Sequence, residues 1–259
     1  HKLWDKFVVK TISQLIDGGY LVAVHPDGWR TIGKGYEEAK KLLREKQLTY
    51  LEVHNITDGV KTFRVQTTYD FYCLHNVPNT MFTKIKCLDG TIERVDISKM
   101  NFIPNGMYKT YEKLIAKNNE ETIKILHSES DYAHRKEYVG SEQTEEFKYP
   151  IVYLTYKDGS FKLQYSTTKE KGHFGIPKVI WSNGISTPII DENGKYGLSE
   201  YCSAIIDEQK NLSFIQKALA HPDFIKLMSF ADGKTGCRQR YNYKVIALFR
   251  KDFWKEFLY

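Results

Sequence analysis

The side chains best equipped for chemistry are basic and aromatic, and they gather in three places. "KEKGHFGIPKVIW" carries Lys169, Lys171, His173 and Lys178. "GKTGCRQRYNYK" carries Lys234, Arg238, Arg240, Tyr241, Asn242 and Lys244. Lys and Arg neutralise phosphates, and intervening glycines let backbone amides approach a phosphodiester. Arg, Asn and Gln also match guanine and adenine edges in the major groove. The turn Ser182-Asn183-Gly184 would offer Asn183 to a base. A solvated basic loop is the plainer account of each cluster, since charge runs are usually surface. His134-Arg135-Lys136 is a weaker candidate, because Glu129, Asp131 and Glu137 surround it.

The third place is the turn His25-Pro26-Asp27-Gly28-Trp29-Arg30, which closes the apolar stretch "YLVAVHP". Pro26 fixes the turn. Trp29 is more often core than ligand on burial statistics. His25 lacks an identifiable partner for general-base work. No metal set stands out: the eight histidines show neither HxxxH nor HxH spacing. Asp191-Glu192-Asn193-Gly194 lacks the alternating oxygen ligands of a calcium loop and reads as a hairpin turn. No PD…(D/E)xK nuclease string is present.

The elements that must position these residues follow from periodicity. "LWDKFVVKTISQLI" has the apolar spacing of an amphipathic helix, ended by Gly18-Gly19. "YLVAVHP" lacks polar alternation and predicts a strand covered on both faces, as in a parallel sheet. "YEEAKKLLREKQ" predicts a helix, and "LTYLEVHNI" and "TTYDFYCLHNVP" predict strands. Helix, strand, helix, strand, strand is the order of an open α/β sheet. Beyond about residue 84 the texture changes. Hairpins are expected around Asp89-Gly90 and Asp158-Gly159. "MYKTYEKLIAKNNEETIKIL" reads as a helix or helix pair, and "SFIQKALAHPDFIKLMSF" as a helix split at His221-Pro222. "YKVIALF" reads as a short strand or loop, and "RKDFWKEF" as a terminal helical turn.

The chain has 259 residues, 41% hydrophobic and 27% charged, with a net charge of +6. From Lys234 onward seven Lys/Arg stand against two acids, a local net of +5. That excess suits a polyanionic partner. Four cysteines without a CxxC pair predict free thiols in a reducing cytoplasm. No apolar run reaches the roughly 18 residues of a membrane span, so a cytoplasmic protein with no membrane partner is expected.

"LWDKF", "GGYLVAVHPDGW" and "TFRVQTTYDFYCLHN", in this order, resemble the later half of the TaqI-like (gamma-class) adenine-N6 DNA methyltransferases of restriction-modification systems. "GIPKVIWSNGISTPIIDENGKYGLSE" is similar to the strand-rich part of that family's target-recognition domain. The resemblance implies an α/β fold. Residues 1–84 would be the second half of a methyltransferase-type Rossmann-like sheet. Residues 85–259 would be an α+β domain that recognises double-stranded DNA. It also implies S-adenosylmethionine as the cofactor of the complete enzyme and a flipped adenine as the target. Phe63 falls on the family's base-stacking position, with Val65 and Thr67 behind it and Trp29 nearby; a strand-edge core role for Phe63 stands beside that reading. The Asn-Pro-Pro-Tyr motif and the cofactor loop are absent. The expectation is therefore a missing N-terminal half or a separate catalytic subunit, with no catalytic residue here. A non-catalytic DNA-binding specificity module is the alternative, and an RNA or protein methyltransferase a third reading.

Overall fold

The computed structural model describes residues 3–184, 186–231 and 241–258. The chain is mixed α/β. It forms two compact units, His1–Glu112 with Ser229–Arg238, and Lys113–Met228 with Gln239–Tyr259.

In the first unit, α1 (Trp4–Gln14) buries Val8 and Ile12, four positions apart on one face. After Gly18, whose φ of 74° suits glycine, comes β1 (Tyr20–His25). A 3₁₀ turn, Asp27–Trp29, leads to α2 (Glu37–Glu45) and β2 (Lys46–His54). Then follow α3 (Ile56–Phe63), β3 (Tyr69–Pro78), β4 (Thr83–Lys86), β5 (Ile92–Val95) and α4 (Tyr108–Leu114). The strands make one sheet in the order β1-β3-β2-β4-β5. β3 is antiparallel to both β1 and β2, β4 is parallel to β2, and β5 is antiparallel to β4. Position 84, where the sequence changes texture, lies inside β4. The core is built on Trp29, Leu43, Leu48, Leu51, Tyr72, Leu74 and Ile85.

Two local expectations are corrected here. β1 is not covered on both faces. It is the end strand of the sheet, antiparallel to β3, with Leu21 and Ala23 on the core and Tyr20, Val22 and Val24 exposed. The stretch from Thr62, where Phe63 was read as a stacking or strand-edge residue, is helical through Phe63. Asn55 Oδ1 accepts from the Asp58 N–H and Asp58 Oδ2 from the Asn55 N–H, a capping box that starts α3 directly after β2. A Cβ on Gly59 would stand 1.9 Å from the Thr67 carbonyl oxygen. That close approach folds residues 65–67 back over α3, so the strand begins only at Tyr69.

The second unit contains β6 (Lys124–His127), β7 (Val139–Gly140), β8 (Tyr149–Thr155), β9 (Phe161–Ser166) and β10 (Lys178–Ser182). β11 (Ile189–Asp191), β12 (Gly197–Leu198) and β13 (Cys202–Ile206) complete it. Two four-stranded sheets result, β11-β10-β13-β6 and β12-β8-β9-β7. The Asp158-Gly159 hairpin forms between β8 and β9 as predicted, with the Tyr156 N–H on the Ser160 carbonyl. α5 (Gln209–Ala220) and α6 (Pro222–Ser229) break where the sequence said, with His221 extended before the proline. "YKVIALF" is instead α7 (Tyr243–Ile246), capped by Asn242. Phe253–Phe257 is a 3₁₀ helix. Of the helix or helix pair expected over residues 107–126, only α4 forms, and Lys124–His127 pairs with β13 as a strand. Cys73, Cys87 and Cys202 are free thiols, and burial pushes Cys87 and Cys202 up to about 11.

Candidate nucleic-acid interface

The turn after β1 is an internal anchor. Trp29 is 0% exposed, and its indole N–H donates to Asp70 Oδ2 at 2.8 Å. Arg30 Nε donates to the same oxygen at 2.8 Å, and its Nη1 donates to the Ile103 carbonyl and to Asn105 Oδ1. Thr68 donates its hydroxyl to Asp27 Oδ1. Trp29 is therefore no base-stacking surface; its ring and its N–H are both spent inside the unit. His25 is also buried, stacked on Trp4 at 4.4 Å. The Pro26 carbonyl only accepts, so His25 Nδ1 carries the proton and Nε2 accepts from the Tyr72 hydroxyl at 3.0 Å. Burial lowers the His25 pKa, against the pull of the Pro26 carbonyl and Asp27.

Phe63 has the opposite character. It ends α3 with its ring 46% exposed and edge-on to Tyr69 at 4.9 Å. Tyr69 is stacked on His54 at 4.2 Å and its hydroxyl bonds Thr62. Val60 and Val65 are exposed nearby in the chain. An accessible aromatic ring backed by a fixed aromatic pair is able to take a flat ligand face.

In the second unit the first basic cluster divides. Lys169 and Lys171 are exposed, with Lys171 Nζ 5.6 Å from the Tyr138 ring centre. Lys178 is 0% exposed and is not a phosphate contact. Its ammonium is 2.7 Å from Asp191 Oδ2 and donates to the carbonyls of His173 and Ile176. Burial lowers its pKa and Asp191 pulls it back. His173 is also buried, accepting from the Leu198 N–H at Nδ1. Two lysines missed in the sequence replace them: Lys148 lies over Tyr149 at 5.4 Å and Lys162 over Tyr153 at 5.6 Å. The signal was a basic residue beside or opposite a strand tyrosine around the β8–β9 hairpin. Asn183 is half-buried at the end of β10, its N–H on the Tyr201 carbonyl at 2.9 Å.

Of the second cluster, Lys234, Arg238 and Arg240 lie outside the described residues. Asn242 Oδ1 is occupied as the cap of α7, accepting from the Lys244 N–H. Lys244 is exposed over the Tyr243 ring, which stacks on His127 at 3.8 Å. The rest of the basic tail is largely neutralised. Arg250 pairs with Asp252 and Glu256, Lys251 with Glu121 and Lys255 with Asp252, along an open groove of about 550 Å3.

At the end of β1, Asp27, Arg30 and Asp70 are buried and turned on one another. Among the described residues no group of three His, Cys, Asp or Glu is placed to hold a metal ion. No helix among them is long and apolar enough to cross a membrane.

No family model matches the sequence, and no curated protein matches it. Among solved structures, the Type IIL restriction-modification enzyme MmeI in complex with DNA superposes with a TM-score of 0.51 at 6% identity. That match covers 95% of this chain and 40% of the MmeI chain, so the present chain spans well under half of MmeI. At this identity the likeness is one of fold. The type IIG restriction endonuclease BpuSI matches over 97% of this chain and 43% of its own, at 8% identity and a TM-score of 0.35, too loosely to bear on the fold.

Proposed function

We propose that this chain is the DNA-engaging portion of a restriction-modification methyltransferase acting on adenine N6 in double-stranded DNA. The observation that carries the reading is the fold likeness, along 95% of the chain, to a restriction-modification enzyme solved on DNA. Two features of the chain support it. The β8–β9 sheet and its flanks bear Lys148, Lys162, Lys169 and Lys171, three of them over tyrosine rings. Such cation–aromatic surfaces suit a phosphate backbone next to base edges. Phe63 offers a half-exposed ring for an adenine that has left the stack. S-Adenosylmethionine would be the methyl donor of the complete enzyme. No residue described here is assigned to it, and the chain alone is expected to transfer no methyl group. The cofactor half would come from further polypeptide or a partner subunit.

A second reading is a specificity module that binds DNA without catalysis, which the same lysine–tyrosine surface would serve. One titration tests what the two share. The chain is bound to duplex DNA, single-stranded DNA and duplex RNA at several salt concentrations. Preference for duplex DNA is expected, with log K falling about 0.9 per phosphate contact for each log unit of salt. Absent or salt-indifferent duplex binding would refute both readings. Methyl transfer on adding a cofactor-binding partner then separates enzyme from module.

A further inference from the structure

The two ends of the first unit's sheet are guarded differently. β5 is four residues long and carries Glu93 and Arg94. β1 is six residues long, pairs with β3 in unbroken register, and holds no Lys, Arg, Asp, Glu or Pro. Edge strands are normally blunted by shortness, charge, proline or a bulge, because their free N–H and C=O groups invite another strand. β1 has none of these devices, and among the described residues no strand pairs with its other edge. Exposed apolar side chains crowd the same place. Of the fifteen large hydrophobic residues exposed among those described, six fall between positions 3 and 24. Tyr20, Val22 and Val24 stand on the outer face of β1, at 62%, 60% and 47% exposure. Leu21 and Ala23 turn to the core beside Val8 and Ile12 of α1. On α1 itself Leu3 and Phe7 are exposed four positions apart, and Ile16 is exposed in the turn that leads into β1.

A bare strand edge with an apolar outer face calls for one kind of occupant. An added strand takes up the free main-chain groups, and its alternate side chains lie along the apolar row beside them. β1 offers a phosphate backbone no cation. An apolar patch of this extent marks an interface, and strongly apolar interfaces belong to parts that stay together rather than to partners that separate. The MmeI chain carries 60% of its length outside the region of likeness, on one polypeptide, since the match covers 40% of it and 100 − 40 = 60. We propose that β1 is a seam inside a larger domain: its free edge pairs with an apolar strand from the cofactor-binding portion of the same polypeptide, and that portion covers Tyr20, Val22 and Val24. The seam rests on the methyltransferase reading above, in which such a portion completes the enzyme.

Val22 on β1 and Ile92 on β5 share one face of the sheet and are almost equally exposed, at 60% and 57%. They make a matched pair for thiol footprinting. The complete product of the gene is prepared with Val22→Cys or with Ile92→Cys, and maleimide labelling is followed at the substituted peptide by mass spectrometry. Val22→Cys should label at least about 10-fold more slowly than Ile92→Cys, because a covered site reacts only when the seam opens. In the 259-residue chain alone the two should label alike, and the chain should sediment as a monomer. Hydrogen exchange on the unsubstituted complete product should give the same contrast, with β1 amides slow and β5 amides fast. Equal labelling of the two positions in the complete product overturns the seam, and leaves the methyltransferase reading standing if that product still methylates duplex DNA. A 259-residue chain that dimerises and protects Val22→Cys by itself overturns it in favour of a second copy. A gene that encodes nothing beyond these residues overturns it as well. A complete product that neither binds S-adenosylmethionine nor methylates DNA refutes the parent reading, and this proposal with it.

Discussion

Each unit buries one cation against a carboxylate, and the two pairs are finished differently. In the second unit Lys178 has three acceptors for its three protons: Asp191 at 2.7 Å and the carbonyls of His173 and Ile176. Asp191 in turn accepts from the N–H groups of Lys195 and Tyr196. That network is closed and clamps the turns on both sides of β10 and β11. In the first unit Arg30 satisfies Nε and Nη1, but Nη2 makes no hydrogen bond, nor do Asp70 Oδ1 and Asn105 Nδ2. Burial pushes the Asp70 pKa up while Arg30 draws it down. A closed network is a clamp, whereas the open one is a hub joining the turn after β1, the start of β3 and residues 103–105.

The comparison is broken hardest at Asp70. Asp70→Ala strands a guanidinium and an indole N–H in the core, and about 3–5 kcal/mol of unfolding free energy should be lost. Denaturant titration measures it, and a loss below about 1 kcal/mol would show that the hub holds nothing. Lys178→Met should cost less, about 2–3 kcal/mol, because Asp191 keeps two backbone donors while losing its ammonium. If Lys178→Met proved the more damaging of the two, the closed network would be the main anchor and the comparison would reverse.

Buried histidines beside the two networks sharpen the contrast through pH. Burial lowers the pKa of His25, near Asp27 and Arg30, and of His173, near Asp131 and Lys178. A base whose folded pKa is lowered binds fewer protons folded than unfolded. Its contribution is therefore fully present above the ordinary value of 6.5, and is lost as pH falls below it. Stability should decline from pH 6.5 downward by up to about 1.4 kcal/mol per pH unit for each histidine. Unfolding titrations from pH 7.5 to 5.5 check the slope. His25→Asn should flatten it by one histidine's share and leave that of His173. A flat profile in the native chain would mean that neither ring is held neutral.

What was legible in the sequence was local. The α1 stripe, the Asp158-Gly159 turn and the break at Pro222 each depend on residues a few positions apart. α3 was missed although its capping residues, Asn55 and Asp58, stood in plain view. Ile56, Thr57, Val60 and Thr62 have strand-favouring side chains, and the cap overrode them. β1 was misjudged because an apolar run does not say how many faces are covered. That is decided by pairing with β3, some fifty residues away. Of the candidate site, the resemblance singled out Phe63, whose ring is exposed at the end of α3 rather than on a strand edge, but the fates of Trp29 and Lys178 were not legible. Trp29 meets Asp70 across 41 positions, and Lys178 meets Asp191 only because β10 and β11 pair.

The smallest effect belongs to the two lysines that stayed on the surface. Lys169 and Lys171 flank the same loop as buried His173 and Lys178, yet both are exposed. Lys169→Gln and Lys171→Gln should leave stability within about 0.5 kcal/mol of the native chain, since neither removes a buried contact. Their effect should appear only on DNA. Each should lower the salt dependence of duplex binding by about one phosphate contact and weaken all sequences alike. Lys171 lies against Tyr138, so its loss should cost the more of the two. Equal slopes for native chain and double variant would remove this loop from the interface and leave the β8–β9 surface, with Lys148 and Lys162, to carry the contact.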